Sequence, residues 1–187
     1  MRRRKRGNYA FIDSQNLNVS VQKFGWKINW KKLRQFLTDK YGVSKAFMFI
    51  GYVPEHEDIY EKMHEAGYAV VLKPTFDMSR PRPEDKNPDE EKKVKGNIDA
   101  DMVLWAMKEM DNYEKAVILS GDGDFFGLVE YLNQQGKLLK ILTPTGQYSS
   151  LYRQFESYIE RLDNHRRELA YHDRRFNRRP KNSQPQS

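Results

Sequence analysis

Five short apolar runs recur along this chain, and the segments between them carry apolar residues at helical spacing. The runs are Tyr9–Asp13 (YAFID), Lys45–Val53 (KAFMFIGYV), Tyr68–Leu72 (YAVVL), Ala116–Ser120 (AVILS) and Lys137–Leu142. Each is nearly continuous in apolar residues, the pattern of a strand buried on both faces. Between them, Asn29 is placed to cap a helix through Lys40, with Trp30, Leu33, Phe36 and Leu37 on one face. Further helices are expected over Glu55–Ala66, closed by Gly67, over Asp99–Met110, over Asp124–Gln135, ended by Gly136, and over Gln147–Leu162. Buried strands joined by single helices imply an α/β fold whose sheet is mainly parallel, with right-handed crossovers.

One domain of ordinary size accommodates all of this, over residues 8–162. No cysteine is present, which removes disulfides and thiolate metal sites from consideration. No apolar run approaches the roughly 20 residues of a membrane helix, and the start of the chain lacks the apolar core of a secretory signal. The expected location is cytoplasmic.

The net charge of +7 is unevenly spread. Residues 2–6 carry five positive charges, and from Arg161 onward eight Lys and Arg face three acids, so basic arms flank a mildly acidic body. The arms, residues 1–7 and the tail 163–187, could neutralise phosphates and hold a polyanion without reading its sequence. The tail loses apolar periodicity beyond about Arg167 and is expected to be disordered. Residues 73–97, rich in proline and charge, form an unusually long connection, which is usually functional or flexible.

Ligands of an open parallel sheet collect at the carboxyl ends of its strands, near the point where strand order reverses. Asp13 closes the first strand. Asp122 and Asp124 follow the fourth in SGDGDF, where Gly121 and Gly123 are expected to permit the tight turn. If those two strands are neighbours, the three acids converge. Asp99 adds a fourth from KGNIDADM, sharing a helix face with Met102, Val103 and Ala106, whereas Asp101 lies about 200° away from it, beside Leu104, Trp105 and Lys108, and its direction stays open. Gathered carboxylates repel one another, and Mg²⁺ or Mn²⁺, which favour oxygen ligands, would relieve this. Such a cation activates water and steadies charge on a phosphodiester. Asn16 could bond a carboxylate or phosphate, and Ser120 could orient Asp122. Each acid also has a plainer reading, as a strand-end turn residue (Asp13), a helix cap (Asp124) or a favourable charge at a helix start (Asp99).

YAFIDSQNL, KGNIDADMVLWAM and KAVILSGDGDFFGLVEYLNQQGK, in that order, resemble the NYN domain family, in the LabA-like branch of the PIN-like proteins. The likeness covers roughly residues 8–142. It implies a Rossmann-like three-layer α/β/α sandwich and a metal-dependent ribonuclease activity. The family's acidic positions fall on Asp13, Asp99, Asp122 and Asp124, as metal ligands and catalytic groups, with Asn16 beside the first. RNA is the implied partner, single-stranded DNA stays open, and so does a homodimer. An RNA-binding regulatory module that keeps the acidic pocket but cleaves little is the alternative.

Other residues carry weaker expectations. Trp26, beside Lys23 and Lys27, could stack a base in a basic aromatic loop. Lys92, Lys93 and Lys95 could guide a phosphate backbone toward Asp99. His56, His64, His165 and His172 share no metal-ligand spacing and read as surface positions.

Overall fold

Neighbouring strands pair in parallel throughout one sheet, in the order β3-β2-β1-β4-β5-β6. The strands are β1 (Asn8–Asp13), β2 (Val43–Gly51), β3 (Tyr68–Lys73), β4 (Ala116–Leu119), β5 (Leu138–Thr143) and β6 (Ile159–Arg161). The structure is a computed structural model and describes residues 6–51, 57–73 and 98–171. From β1 the chain builds outward to β3, then returns to β4 and builds outward to β6. Strand order therefore reverses between β1 and β4, which lie side by side with Ile12 opposite Leu119. The adjacency of the first and fourth strands, on which the expected convergence of acids depended, is met.

Alternation along the strands creates two apolar layers. Ala10, Ile12, Met48, Val117 and Leu119 share one core with Leu17 and Val21 of α1 (Ser14–Lys23) and Leu33 and Leu37 of α2 (Trp30–Tyr41). Met63 of α3 (Glu57–Glu65) and Leu169 of α6 (Arg166–Leu169) join that layer. Phe11, Phe47, Phe49 and Ile118 face the other way, against Met102 and Ala106 of α4 (Asp99–Lys108) and Leu128 and Leu132 of α5 (Phe126–Gln134). Phe11 and Phe47 stack with ring centroids 5.4 Å apart across the β1–β2 pair. Each such side chain contributes about 1.5–3 kcal/mol by leaving water, and with both faces covered the sheet exposes mainly its ends. Asn29 caps α2 by accepting from the Lys32 amide at 3.1 Å, as its place in the sequence predicts.

Three elements differ from the sequence reading. SQNLNVSVQK forms α1, although its Ser and Asn residues are poor helix formers; burial of Leu17 and Val21 on one face outweighs propensity. The helix expected over Gln147–Leu162 is instead a 3-10 segment, Ser150–Tyr158, with non-helical backbone at Phe155. It is followed by β6, whose three residues are too few to show a period. Packed structure also continues past residue 162. Leu162, Leu169 and Ala170 are buried, Ala170 bridges Ile28, and the Tyr171 amide donates to the Lys27 carbonyl at 2.8 Å. Residues 163–171, expected to belong to the tail, are therefore packed, because those few apolar residues close one core layer. Residues 1–5, 52–56, 74–97 and 172–187 lie outside the described residues, and with them the expected end of the second strand at Val53 and start of the next helix at Glu55.

Candidate active site

Asp13 ends β1 exactly where the chain turns into α1, and its carboxylate serves both elements. One oxygen accepts the Asn16 amide at 3.0 Å, capping α1. The other accepts the Ser120 hydroxyl at 3.2 Å, from the end of neighbouring β4. Only 5% of the residue is exposed. Burial raises its pKa above the ordinary carboxylate value, the Asn16 and Ser120 hydrogen bonds pull it back, and the charges of Asp99 and Asp122 raise it again. An acid is therefore held in the crevice at the switch point against the repulsion of two others.

The turn after β4 is tied to this acid through neutral donors. While donating to Asp13, the Ser120 hydroxyl accepts the Asp122 amide at 3.1 Å, linking the two strand ends. The Asn16 side-chain oxygen accepts the Gly121 amide at 3.0 Å, so this residue latches the two turns together. The Asp122 carboxylate accepts the Asp124 amide at 3.1 Å and caps the 3-10 turn Gly123–Phe125. Capping falls to Asp122, and Asp124 stands exposed at the rim. From the 3-10 segment, the hydroxyl of buried Tyr152 donates to the Asp122 carbonyl. Burial, then the charges of Asp122, Asp13 and Asp124, push that phenol above its ordinary range, so it remains a donor.

Gly121 and Gly123 do not serve as expected. Neither has positive φ; among the described residues that conformation belongs to Gly25, Gly42, Gly67 and Gly136. What requires glycine is close approach. A Cβ on Gly123 would lie 2.5 Å from the Ser149 hydroxyl, and one on Gly121 would lie 3.3 Å from the Tyr148 Cβ. The segment after β5 thus packs onto the acidic turn. Between them opens a cleft of about 610 Å³, lined by Asn16, the 121–124 turn, Gln147, Tyr148, Ser149 and Leu151.

As to a metal, every donor here is a hard oxygen, the chemistry that Mg²⁺ and Mn²⁺ prefer. The mutual repulsion recorded at Asp13 is what a cation would relieve. Yet among the described residues no three carboxylate or histidine groups are drawn together closely enough to hold a metal. The four expected ligands are distributed instead. Asp13 and Asp122 each cap a backbone amide, Asp99 stands half-buried at the start of α4, and Asp124 lies on the rim.

Asp101 turns away from this group and pairs with Lys73 at 3.0 Å. Trp26 is not a stacking surface. It is 6% exposed, shares the core of Val21 and Leu169, and has the Arg166 guanidinium 6.0 Å from its ring. An aromatic residue three positions past a helix end was more valuable to the core than to a ligand. Lys27 is exposed beyond the far end of α1, a helix of ten residues that carries it about 15 Å from Asp13. Lys92, Lys93 and Lys95 lie outside the described residues, as do His56 and His172. His165 is no bare surface residue: its ring packs on Phe36 and bonds Glu160 at 2.7 Å. Arg6 leads into the amino end of β1, at the edge opposite Asp13, about 17 Å away by strand rise.

Tyr152 and the 147–151 segment escaped the sequence reading, which placed them in a helix. The signal was the run TPTGQYSS directly after a parallel strand, a loop composition at the ligand-binding edge.

A doubly wound α/β domain with a carboxylate crevice at its switch point is what the fold and the site define. The NYN domain profile matches residues 9–166, and the chain belongs to the NYN domain family. This family is associated with ribonuclease activity, and its nucleases typically use divalent metal ions. The structure is similar to the crystal structure of VPA0982, a protein of unknown function from Vibrio parahaemolyticus RIMD 2210633. The TM-score is 0.65 at 18% identity, over 91% of this chain and 100% of that one. That likeness concerns the fold. No curated protein matches the chain. Among the described residues no helix is long and apolar enough to cross a membrane.

Proposed function

We propose that this chain is a cytoplasmic, Mg²⁺- or Mn²⁺-dependent endoribonuclease that hydrolyses RNA phosphodiester bonds beside Asp13 and Asp122. The observation that carries the reading is the buried Asp13 carboxylate, hydrogen-bonded to Ser120 across the switch point and repelled by Asp99 and Asp122. Membership of a family associated with ribonuclease activity supports a chemical reading of such a group. A divalent cation held by Asp13 and Asp122, with Asp99 and Asp124 alongside, would supply an activated water and neutralise charge on the phosphate.

The chain's own residues then have separate tasks. Ser120 and the Asn16 amide hold the Asp13 carboxylate in one orientation. The Asn16 side chain, its oxygen occupied by Gly121, can offer its NH₂ group to a phosphate oxygen. Tyr152 fixes the backbone of Asp122 and thereby the aim of its carboxylate. Cleavage of a labelled RNA in Mn²⁺, and its loss in EDTA and in Asp13→Asn, tests the reading; cutting that survives either treatment overturns it.

A second reading, an RNA-binding module with little cleavage, draws on the capping roles of Asp13 and Asp122 and on the distribution of the four acids. It expects salt-sensitive RNA binding with no turnover in either metal.

A further inference from the structure

The cleft beside the acids has two unlike walls. Asp122 and Asp124 form one, and the other, Gln147, Tyr148, Ser149 and Leu151, carries no charge. Tyr148 is half-buried, and Leu151 is 51% exposed, high for a large apolar residue that lines a cleft. The neutral wall is held tightly to the acidic turn. The Ser149 amide donates to the Gly121 carbonyl at 2.9 Å, and Gly123 leaves no room for a side chain against Ser149 and Leu151. Just before this wall, the Arg161 guanidinium rests against Gly146 and is held by Asp163 at 3.0 and 2.6 Å. The Arg161 charge beside Gly146 is thus already paired within the chain.

A neutral ledge with an aromatic ring beside the acids matches a base next to a phosphate. A phosphodiester held through a cation at Asp13 and Asp122 would bring an adjacent base toward Tyr148 and Leu151, which line the same cleft as Asp122. The volume of about 610 Å³ falls within the range of roughly 300–1,000 Å³ usual for small-ligand sites. Resting on the nuclease reading above, we propose that the cleft is a base subsite in which an unpaired nucleotide stacks on Tyr148 and packs against Leu151, selecting single-stranded over duplex RNA. Bases in a duplex are covered by their neighbours and cannot present a face to Tyr148 without being flipped out. Gln147 and Ser149 lie at the edge of the same subsite and offer donors and acceptors to the base.

The test uses the full chain in Mn²⁺, with a short fluorescein-labelled single-stranded RNA and the same strand annealed to its complement. Binding is measured with Asp13 in place by rapid mixing, before cleavage proceeds, and cleavage is followed afterwards in the same samples. Tyr148→Ala is expected to weaken single-strand binding roughly ten-fold, in line with loss of one base-stacking contact. Leu151→Ala weakens it less, Tyr148→Phe restores most of the loss, and duplex binding, weaker from the start, does not change. Unaltered single-strand affinity in both Tyr148→Ala and the exposed-site variant Leu151→Ala, with melting temperatures preserved, overturns the subsite. If the parent cleaves and neither substitution alters binding, the subsite falls and the nuclease reading stands. If nothing is cleaved but the affinity losses appear, the subsite stands and the catalytic reading falls. A parent chain that neither binds nor cleaves RNA overturns both.

Discussion

Asp13 is buried and Glu160 half-buried, and each carboxylate accepts a hydroxyl hydrogen bond, yet their surroundings drive them in opposite directions. Asp13 has only neutral donors, the Asn16 amide and the Ser120 hydroxyl, and it faces the charges of Asp99 and Asp122. Glu160, on edge strand β6, accepts from Lys40, from Tyr41 at 2.7 Å and from His165 at 2.7 Å. Against the cost of burial, those three hydrogen bonds and the Lys40 charge lower its pKa to about 2. The hydrogen-bond partners of Glu160 include cationic Lys40, whereas those of Asp13 are neutral. The first arrangement is a structural clasp, joining α2, β6 and the turn that follows. The second leaves a buried acid repelled by its neighbours at the switch point, the kind of perturbed group on which the proposed function rests.

The largest effect expected from breaking this contrast is on cleavage. Asp13→Asn, which retains a capping side chain but lacks the charge, should lower the rate of RNA cleavage about 10³-fold, read from initial rates in Mn²⁺. A rate within a few-fold of the parent would place the chemistry elsewhere. Next comes Trp26→Ala, expected to cost about 3 kcal/mol in urea unfolding because it empties part of the core. Were Trp26 a nucleic-acid platform, RNA affinity would fall and stability would not.

Glu160→Gln should cost about 1–2 kcal/mol at pH 7, since it removes the charge that Lys40 and its neighbours stabilise. A lowered folded-state pKa means that this contribution is present above the unfolded value of 4.5 and is lost as pH falls through about 2. Variant and parent should therefore converge across that window, and a gap that persists at pH 2 would contradict the clasp. The smallest effect has the opposite sign. In EDTA at pH 7, Asp13→Asn should stabilise the fold by about 1 kcal/mol by removing one of the mutually repelling charges. Adding Mn²⁺ should then raise the melting temperature of the parent and not that of the variant. A destabilised Asp13→Asn would show that Asp13 belongs with Glu160 as a structural acid.

Much of this arrangement was legible in the residues. The continuous apolar runs told of a doubly covered parallel sheet, and an acid at the end of the first run pointed to its carboxyl edge. That β1 and β4 are neighbours was a topological inference, and their pairing over Tyr9–Ile12 supplies the fact behind it. Other features had no local signal. β6 owes its existence to an edge offered by β5, and α1 owes its helix to burial of Leu17 and Val21. Gly121 and Gly123 were singled out for conformational freedom, but their role lies in contact with residues distant in sequence, which no local pattern records. The same holds for Tyr152, whose hydroxyl reaches Asp122 across 30 positions. The glycine-rich acidic turn was visible; the wall it packs against was not.

The central claim is that Asp13 and Asp122 form an acidic pair completed by a cation. Anomalous diffraction from a crystal soaked in Mn²⁺ tests it most directly. The account predicts a peak between these two carboxylates, with metal–oxygen distances of about 2.0–2.3 Å. A map in which both carboxylates keep their present partners and Mn²⁺ is absent or bound elsewhere would contradict it.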